Sequence, residues 1–129
     1  PKVSFCRFEG DVSCHLGSFY HMFFCFVSRK QPLRVYSMAK YGAIARGDVE
    51  IFMKFARSGY KEKIWDHAAG VIIVEEAGGV VTDAGGKPLD FSQGRYLEDL
   101  DRGIIVCSGK ALHNILIEAV DASWNSSRL

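Results

Sequence analysis

What the sequence has little of narrows its class first. Three prolines, and thirteen glycines without a period among 129 residues, exclude collagen-like repeats and disfavour a low-complexity or disordered chain. There is no surplus of charge: sixteen Lys and Arg stand against fifteen Asp and Glu, a formal net of +1. A balance so close to zero gives no electrostatic case for a nucleic-acid binder or a membrane-surface protein. Long apolar runs are missing as well. The strongest, Phe19–Val27, includes His21 and is far too short to span a bilayer. No basic segment and small-residue cleavage site frame it as a signal peptide requires. Cys–X–X–Cys pairs and metal-finger spacings are absent, so Cys6, Cys14, Cys25 and Cys107 read as reduced thiols of an intracellular protein, in cytoplasm or organelle. A Cys6–Cys14 disulfide or a redox switch is the alternative.

What is there is ordinary globular material, 48% hydrophobic and 24% charged. A single domain of this length buries roughly two-thirds of the surface its unfolded chain exposes. The first residue is Pro1, not Met, so the chain reads as a piece of something longer. A composition break falls near residue 34. Six of the nine phenylalanines and three of the four cysteines lie between Phe5 and Phe26, with no clean period, so residues 1–34 are set apart from 35–129.

Past the break the pattern alternates between strands and helices. Leu33–Tyr36 is a short apolar run read as a strand. Ser37 stands where a helix N-cap belongs, with Met38–Arg46 helical and Gly47 as its stop. Val49, Ile51, Met53 and Phe55 alternate with Glu50, Phe52 and Lys54, the period of a strand. A polar loop over Ala56–Lys63 precedes a helix, Asp66–Ala77, that opens on Asp66 and ends at Gly78-Gly79. Val80–Thr82 is a strand closed by a turn at Asp83-Ala84-Gly85-Gly86. Gly86–Arg102 reads as an extended charged loop and Gly103–Cys107 as a buried strand. Ala111–Ala122 reads as an amphipathic helix with Leu112, Ile115, Leu116 and Ala119 on one face. The alternation argues an α/β fold, a sheet covered by helices.

Two helix starts could carry chemistry. Around Ser37 a hydroxyl, free backbone N–H groups and Lys40 one turn on would favour an anion such as phosphate. The plainer reading is a capping serine beside a solvated lysine. Asp66 follows Trp65 and opens the next helix, where a carboxylate stays ionised and suits a hard cation such as Mg²⁺. Ala69 and Gly70 would let another backbone or a ligand approach closely. The plainer reading there is a capping aspartate beside a core tryptophan. His67 is expected to partner a neighbouring polar group. Glu75 and Glu76 lie nearly three turns further on, too far to share an ion with Asp66, and one carboxylate cannot build a two-metal site. Arg57, Lys61 and Lys63 interleave with Tyr60 and Trp65, which could stack a base or form a solvated loop. Gly78-Gly79 and Gly85-Gly86 match no phosphate-binding loop.

The run Gly59-Tyr60-Lys61-Glu62-Lys63-Ile64-Trp65-Asp66-His67-Ala68-Ala69-Gly70, then Glu76-Ala77-Gly78-Gly79 and Thr82-Asp83, resembles the C-terminal signature of the inositol monophosphatase superfamily. Within it, Ser37…Lys40-Tyr41-Gly42 and Pro88-Leu89-Asp90-Phe91 resemble the 3′(2′),5′-bisphosphate nucleotidases, the plant enzymes above all, over roughly residues 35–122. The resemblance implies the αβα C-terminal domain of that sugar-phosphatase fold, truncated. It also implies a Mg²⁺-dependent, lithium-sensitive phosphatase of sulfur metabolism, converting 3′-phosphoadenosine 5′-phosphate to AMP and phosphate. Related readings are an inositol phosphate phosphatase or a non-catalytic nucleotide-binding remnant. By resemblance Asp66 is a metal ligand close to the substrate, Ser37 and Lys40 contact the nucleotide, and His15 matches a nucleotide-contacting histidine.

Three departures stand out. Lys54 occupies the place of an arginine that touches the nucleotide, and an ammonium lacks the bidentate, stacking contact of a guanidinium. Tyr36 and Met38 replace the acid and glutamine that flank the serine. The family's N-terminal half, with its metal-binding glutamate and DPxDGT motif, has no counterpart here, which predicts that this chain alone is inactive.

Overall fold

The computed structural model describes residues 5–6, 35, 37–55 and 59–126. In chain order the elements are β1 (Phe5–Cys6), α1 (Ala39–Ala45), β2 (Ile51–Phe55), α2 (Ala68–Glu76), β3 (Val80–Asp83), β4 (Gly103–Cys107) and α3 (Lys110–Ser126). A 3-10 turn over Ile64–Asp66 leads into α2. The strands form a sheet in the order β1-β2-β4-β3. β1 runs parallel to β2, while β4 pairs antiparallel with β2 on one side and β3 on the other.

Both faces of this sheet are apolar, so its central strands are buried on each side. Ile51, Met53 and Phe55 of β2 and Ile105 and Cys107 of β4 point one way, onto Leu116 and Val120 of α3. Phe52, Ile104, Val106 and Val81 point the other way, onto Tyr41 and Ile44 of α1 and Val71 and Val74 of α2. The result is three layers: α3, the sheet, then α1 with α2. Each fully buried side chain of this kind contributes about 1.5–3 kcal/mol. A helix cap contributes about 1 kcal/mol, and neither α1 nor α2 has a side-chain cap bond. Packing, rather than capping, therefore holds these short helices in place.

The expected elements after residue 38 are present with shifted ends. β4 coincides with its expectation, β3 runs one residue further, to Asp83, and α3 extends to Ser126. Val49 is buried but precedes β2. Gly47, at φ +79°, follows α1 as its stop. The segment 86–102 carries no helix or strand, but Tyr96 forms an isolated bridge with Lys63. Residues 1–34, apart from the strand Phe5–Cys6, lie outside the described residues. So does most of the expected strand Leu33–Tyr36, whose Val35 is not in a strand.

One correction concerns α3. Ile115, expected on the buried face, is 59% exposed, while His113 is buried alongside Leu116 and Val120. Leu112, Leu116 and Ala119 do pack against the core as expected, and His113 Nε2 reaches Thr82 Oγ1 of β3 at 2.6 Å. Burial, the largest cause, holds the His113 imidazole below its ordinary pKa, so the neutral ring is the one the fold favours.

Candidate active site

Ser37 does not cap α1. It is exposed, with φ +57°, and Met38 holds the cap position. A capping serine needs extended backbone so that its oxygen turns back on the first helical N–H groups, and the left-handed region turns it away. Lys40 is buried, its Nζ 4.7 Å from the centroid of the Phe52 ring on β2. The lysine that the plainer reading leaves solvated thus lies against the sheet.

Asp66 does not open α2 either. It closes the 3-10 turn, its N–H donating to Lys63 O at 3.1 Å, and its carboxylate is exposed. His67 takes the cap position of α2, and the tryptophan expected in the core, Trp65, is 56% exposed. The turn is displaced because His67, only 3% exposed, is held from inside and fixes where α2 begins. Gly70 allows a close approach, as expected. A Cβ there would stand 2.8 Å from Tyr41 Cβ and nearer still to the ring. Ala69 faces solvent, as do Glu75 and Glu76. His15, like Arg57, lies outside the described residues.

Lys54 shares a sheet face with Phe52, and therefore with Lys40. Its Nζ donates to Glu62 Oε2 at 2.9 Å and lies 5.5 Å from the centroid of the Tyr60 ring. Glu62, 4% exposed, also meets His67 Nε2 through Oε2 at 2.8 Å, and the Tyr41 hydroxyl lies 2.6 Å from His67 Nδ1. Four side chains from α1, β2, the following loop and the start of α2 thus form one buried chain. Burial, and after it the negative charge of Glu62, pushes the Tyr41 hydroxyl well above the ordinary phenol range. Burial also pulls on the Glu62 carboxyl, but hydrogen bonds from His67 and Lys54 outweigh it and hold the group below its ordinary value. An ionised carboxylate only accepts and a protonated phenol has one hydrogen to give. Every bond is satisfied when neutral His67 donates through Nε2 and accepts from Tyr41 at Nδ1.

Beside this chain the loop carries cations over rings. Lys63 Nζ stands 5.9 Å from the Trp65 ring centroid and Lys61 Nζ the same distance from Tyr96. Lys61 also pairs with Glu98 at 2.6 Å, so its charge is shared with a carboxylate. The Thr82-Asp83 step closes a turn. Asp83 Oδ1 accepts from the N–H groups of Gly85 and Lys87 at 2.9 and 2.8 Å, and Oδ2 accepts from Asp101 at 3.3 Å.

A Mg²⁺ ion takes about six oxygen ligands in a tight octahedron, some of them waters. Among the described residues no group of three or more His, Cys, Asp and Glu side chains could hold a metal ion. Asp66 offers a single exposed carboxylate, so the described residues do not by themselves fit a Mg²⁺ site.

Comparison with known proteins bears on the same residues. Over 101 residues, 78% of this chain and 27% of the relative, the sequence is 77% identical to an Arabidopsis thaliana 3′,5′-bisphosphate nucleotidase. Over 91 residues, 70% of this chain and 25% of the relative, it is 57% identical to a 3′(2′),5′-bisphosphate nucleotidase of Oryza sativa. The chain spans about a quarter of the length of these relatives. Among solved structures, a staphylococcal IMPase-II superposes with a TM-score of 0.68 at 17% identity, covering 98% of this chain and 45% of the other. A Thermotoga maritima IMPase gives 0.62 at 22% identity, covering 98% and 44%. At such identities the likeness establishes the α/β fold. The pattern of the inositol monophosphatase family matches residues 6–125, and the chain belongs to that family.

Proposed function

We propose that these residues form the C-terminal part of a Mg²⁺-dependent 3′(2′),5′-bisphosphate nucleotidase that converts 3′-phosphoadenosine 5′-phosphate to AMP and phosphate. The observation that carries this reading is the 77% identity to a bisphosphate nucleotidase across the stretch holding the Asp66 signature. In this reading Ser37 and Lys40 hold the nucleotide, and His15 contributes a further contact. Lys40 is buried with its ammonium against the Phe52 ring, so its part in this reading rests on the resemblance of the Ser37–Gly42 segment. Asp66, exposed just before α2, is the metal ligand these residues contribute in this reading. The further ligands such a site needs would come from outside the described residues. Mg²⁺ would activate water and neutralise charge on the leaving oxygen.

A non-catalytic remnant is the second reading, favoured by the lack, among the described residues, of three or more side chains grouped to hold a metal ion. Expression of the complete coding sequence that contains these residues separates the two. Lithium-sensitive phosphate release, faster from 3′-phosphoadenosine 5′-phosphate than from inositol 1-phosphate, is expected. The reverse preference would make the enzyme an inositol phosphatase, and no release from either would leave the remnant.

A further inference from the structure

The buried chain from Lys54 to Tyr41 has a shape that simple core filling does not explain. Its Lys54 and Glu62 side chains are 16% and 4% exposed, so the carboxylate is withdrawn from water and the ammonium partly so. Removing two such charges from water costs as much as their attraction returns, and an apolar pair of the same volume is often as stable. What the pair does supply is direction. Glu62 Oε2 receives Lys54 on one side and His67 on the other, and the far nitrogen of His67 meets Tyr41. Both ring nitrogens of His67 are thus held. The backbone of the same residue donates to Ile64 O at 3.1 Å and accepts from Val71 N–H at 2.9 Å, tying the 3-10 turn to the first turn of α2. Asp66 is the residue immediately before it.

We propose that Lys54, Glu62, His67 and Tyr41 form a clamp that fixes the backbone carrying Asp66, with Lys54 as a positioning residue at its charged end and not a contact to phosphate. The assignment rests on the reading of Asp66 as the functional carboxylate. It changes the role of Lys54, whose ammonium is committed to Glu62. An arginine at this position could donate to Glu62 as well.

Amide hydrogen exchange on the 129-residue chain tests the clamp without any assay of activity. Lys54→Met should speed exchange at the Asp66 and His67 amides about tenfold or more, the loss of a charge-assisted hydrogen bond. Central sheet amides such as Ile105 and Val106 should stay within about threefold of the parent, as befits local rather than global opening. Lys54→Arg should restore protection at Asp66 and His67. Tyr41→Phe keeps the ring against Phe52 and deletes only the hydroxyl bond, and should move the same two amides in the same direction. Unchanged exchange at Asp66 and His67 in both Lys54→Met and Tyr41→Phe would overturn the clamp. So would uniform acceleration through the sheet, or failure of arginine to restore protection. The two readings fail separately: a working clamp with a silent Asp66→Asn in phosphate release would remove the role given to Asp66 and leave the clamp standing.

Discussion

Gly70→Ala isolates how closely α2 rides on α1. Inside a helix, alanine is favoured over glycine by about 1 kcal/mol. Here the added Cβ would meet Tyr41, which is 1% exposed and cannot move aside cheaply. Its ring stands edge-on to Phe52 at 5.7 Å and its hydroxyl is bonded to His67. Overpacking of a tight core costs about 1–3 kcal/mol, and breaking the buried hydroxyl bond adds about 1–3 kcal/mol. Subtracting the alanine gain leaves a net loss of about 1–5 kcal/mol, centred near 3. For a chain of this size that lowers Tm by roughly 12 °C. Urea unfolding followed by circular dichroism measures the loss directly. In a Tyr41→Ala background the penalty should shrink but not vanish, because the ring is gone while the Cβ of residue 41 stays 2.8 Å away, and the coupling appears as non-additivity. A Gly70→Ala variant stabilised by about 1 kcal/mol would show that propensity wins and that the contact has been misread.

Other outcomes follow from the same geometry. Where phosphate release is measurable, Asp66→Asn should cut it at least about a hundredfold, since a metal-held charge is worth several kcal/mol. The urea midpoint should hold, because Asp66 is exposed and caps nothing. The 129-residue chain with Mg²⁺ and 3′-phosphoadenosine 5′-phosphate should release no phosphate above the buffer control. Lithium-sensitive turnover there would place catalysis on residues other than those named. The fold holds Glu62 below its ordinary pKa, so its unfolded form takes up a proton first. Its stabilisation is complete above about pH 4.3 and is lost as pH falls through the depressed folded value, and Glu62→Gln should flatten that acid limb in unfolding curves. Burial pushes the Cys107 thiol up to about 12, so iodoacetamide should label it only after unfolding, as read by peptide mass spectrometry.

The legible parts of this fold were those fixed by local pattern. Gly103–Cys107 is five apolar residues between turns, and it is a strand over the same five residues. The three-layer arrangement follows from apolar residues on both faces of β2 and β4. Helix beginnings were less legible. Ser37 and Asp66 have the chemistry of caps, but cap geometry depends on φ and ψ, which distant packing sets. The contact with Tyr41 and Glu62 places His67, and that moves the start of α2 past Asp66. His113 was missed because its partner Thr82 lies thirty-one residues earlier on another element. The clamp did leave a signal. A lysine in the apolar strand Ile51–Phe55 demands a partner for its charge, and Glu62 stands nearby in sequence. His67 was expected to serve a polar neighbour, and it serves two.

The pairing of β2 with β4 sets where this chain can change its length. Five consecutive residue pairs, from Ile51 with Cys107 to Phe55 with Gly103, leave no bulge to absorb an extra residue. Inserting one residue into β2 would turn each side chain after it to the opposite face. Lys54 would then point toward Leu116 and Val120, and Glu62 would lose its cation. The segment from Gly86 to Arg102 is tied at fewer points: Lys87 O and Asp101 O accept from the Asp83 and Ala84 N–H groups near its ends, and the Lys63–Tyr96 bridge holds its middle. Length variation among close relatives should therefore gather in that loop, away from the bridge, and stay out of β2 and β4 altogether.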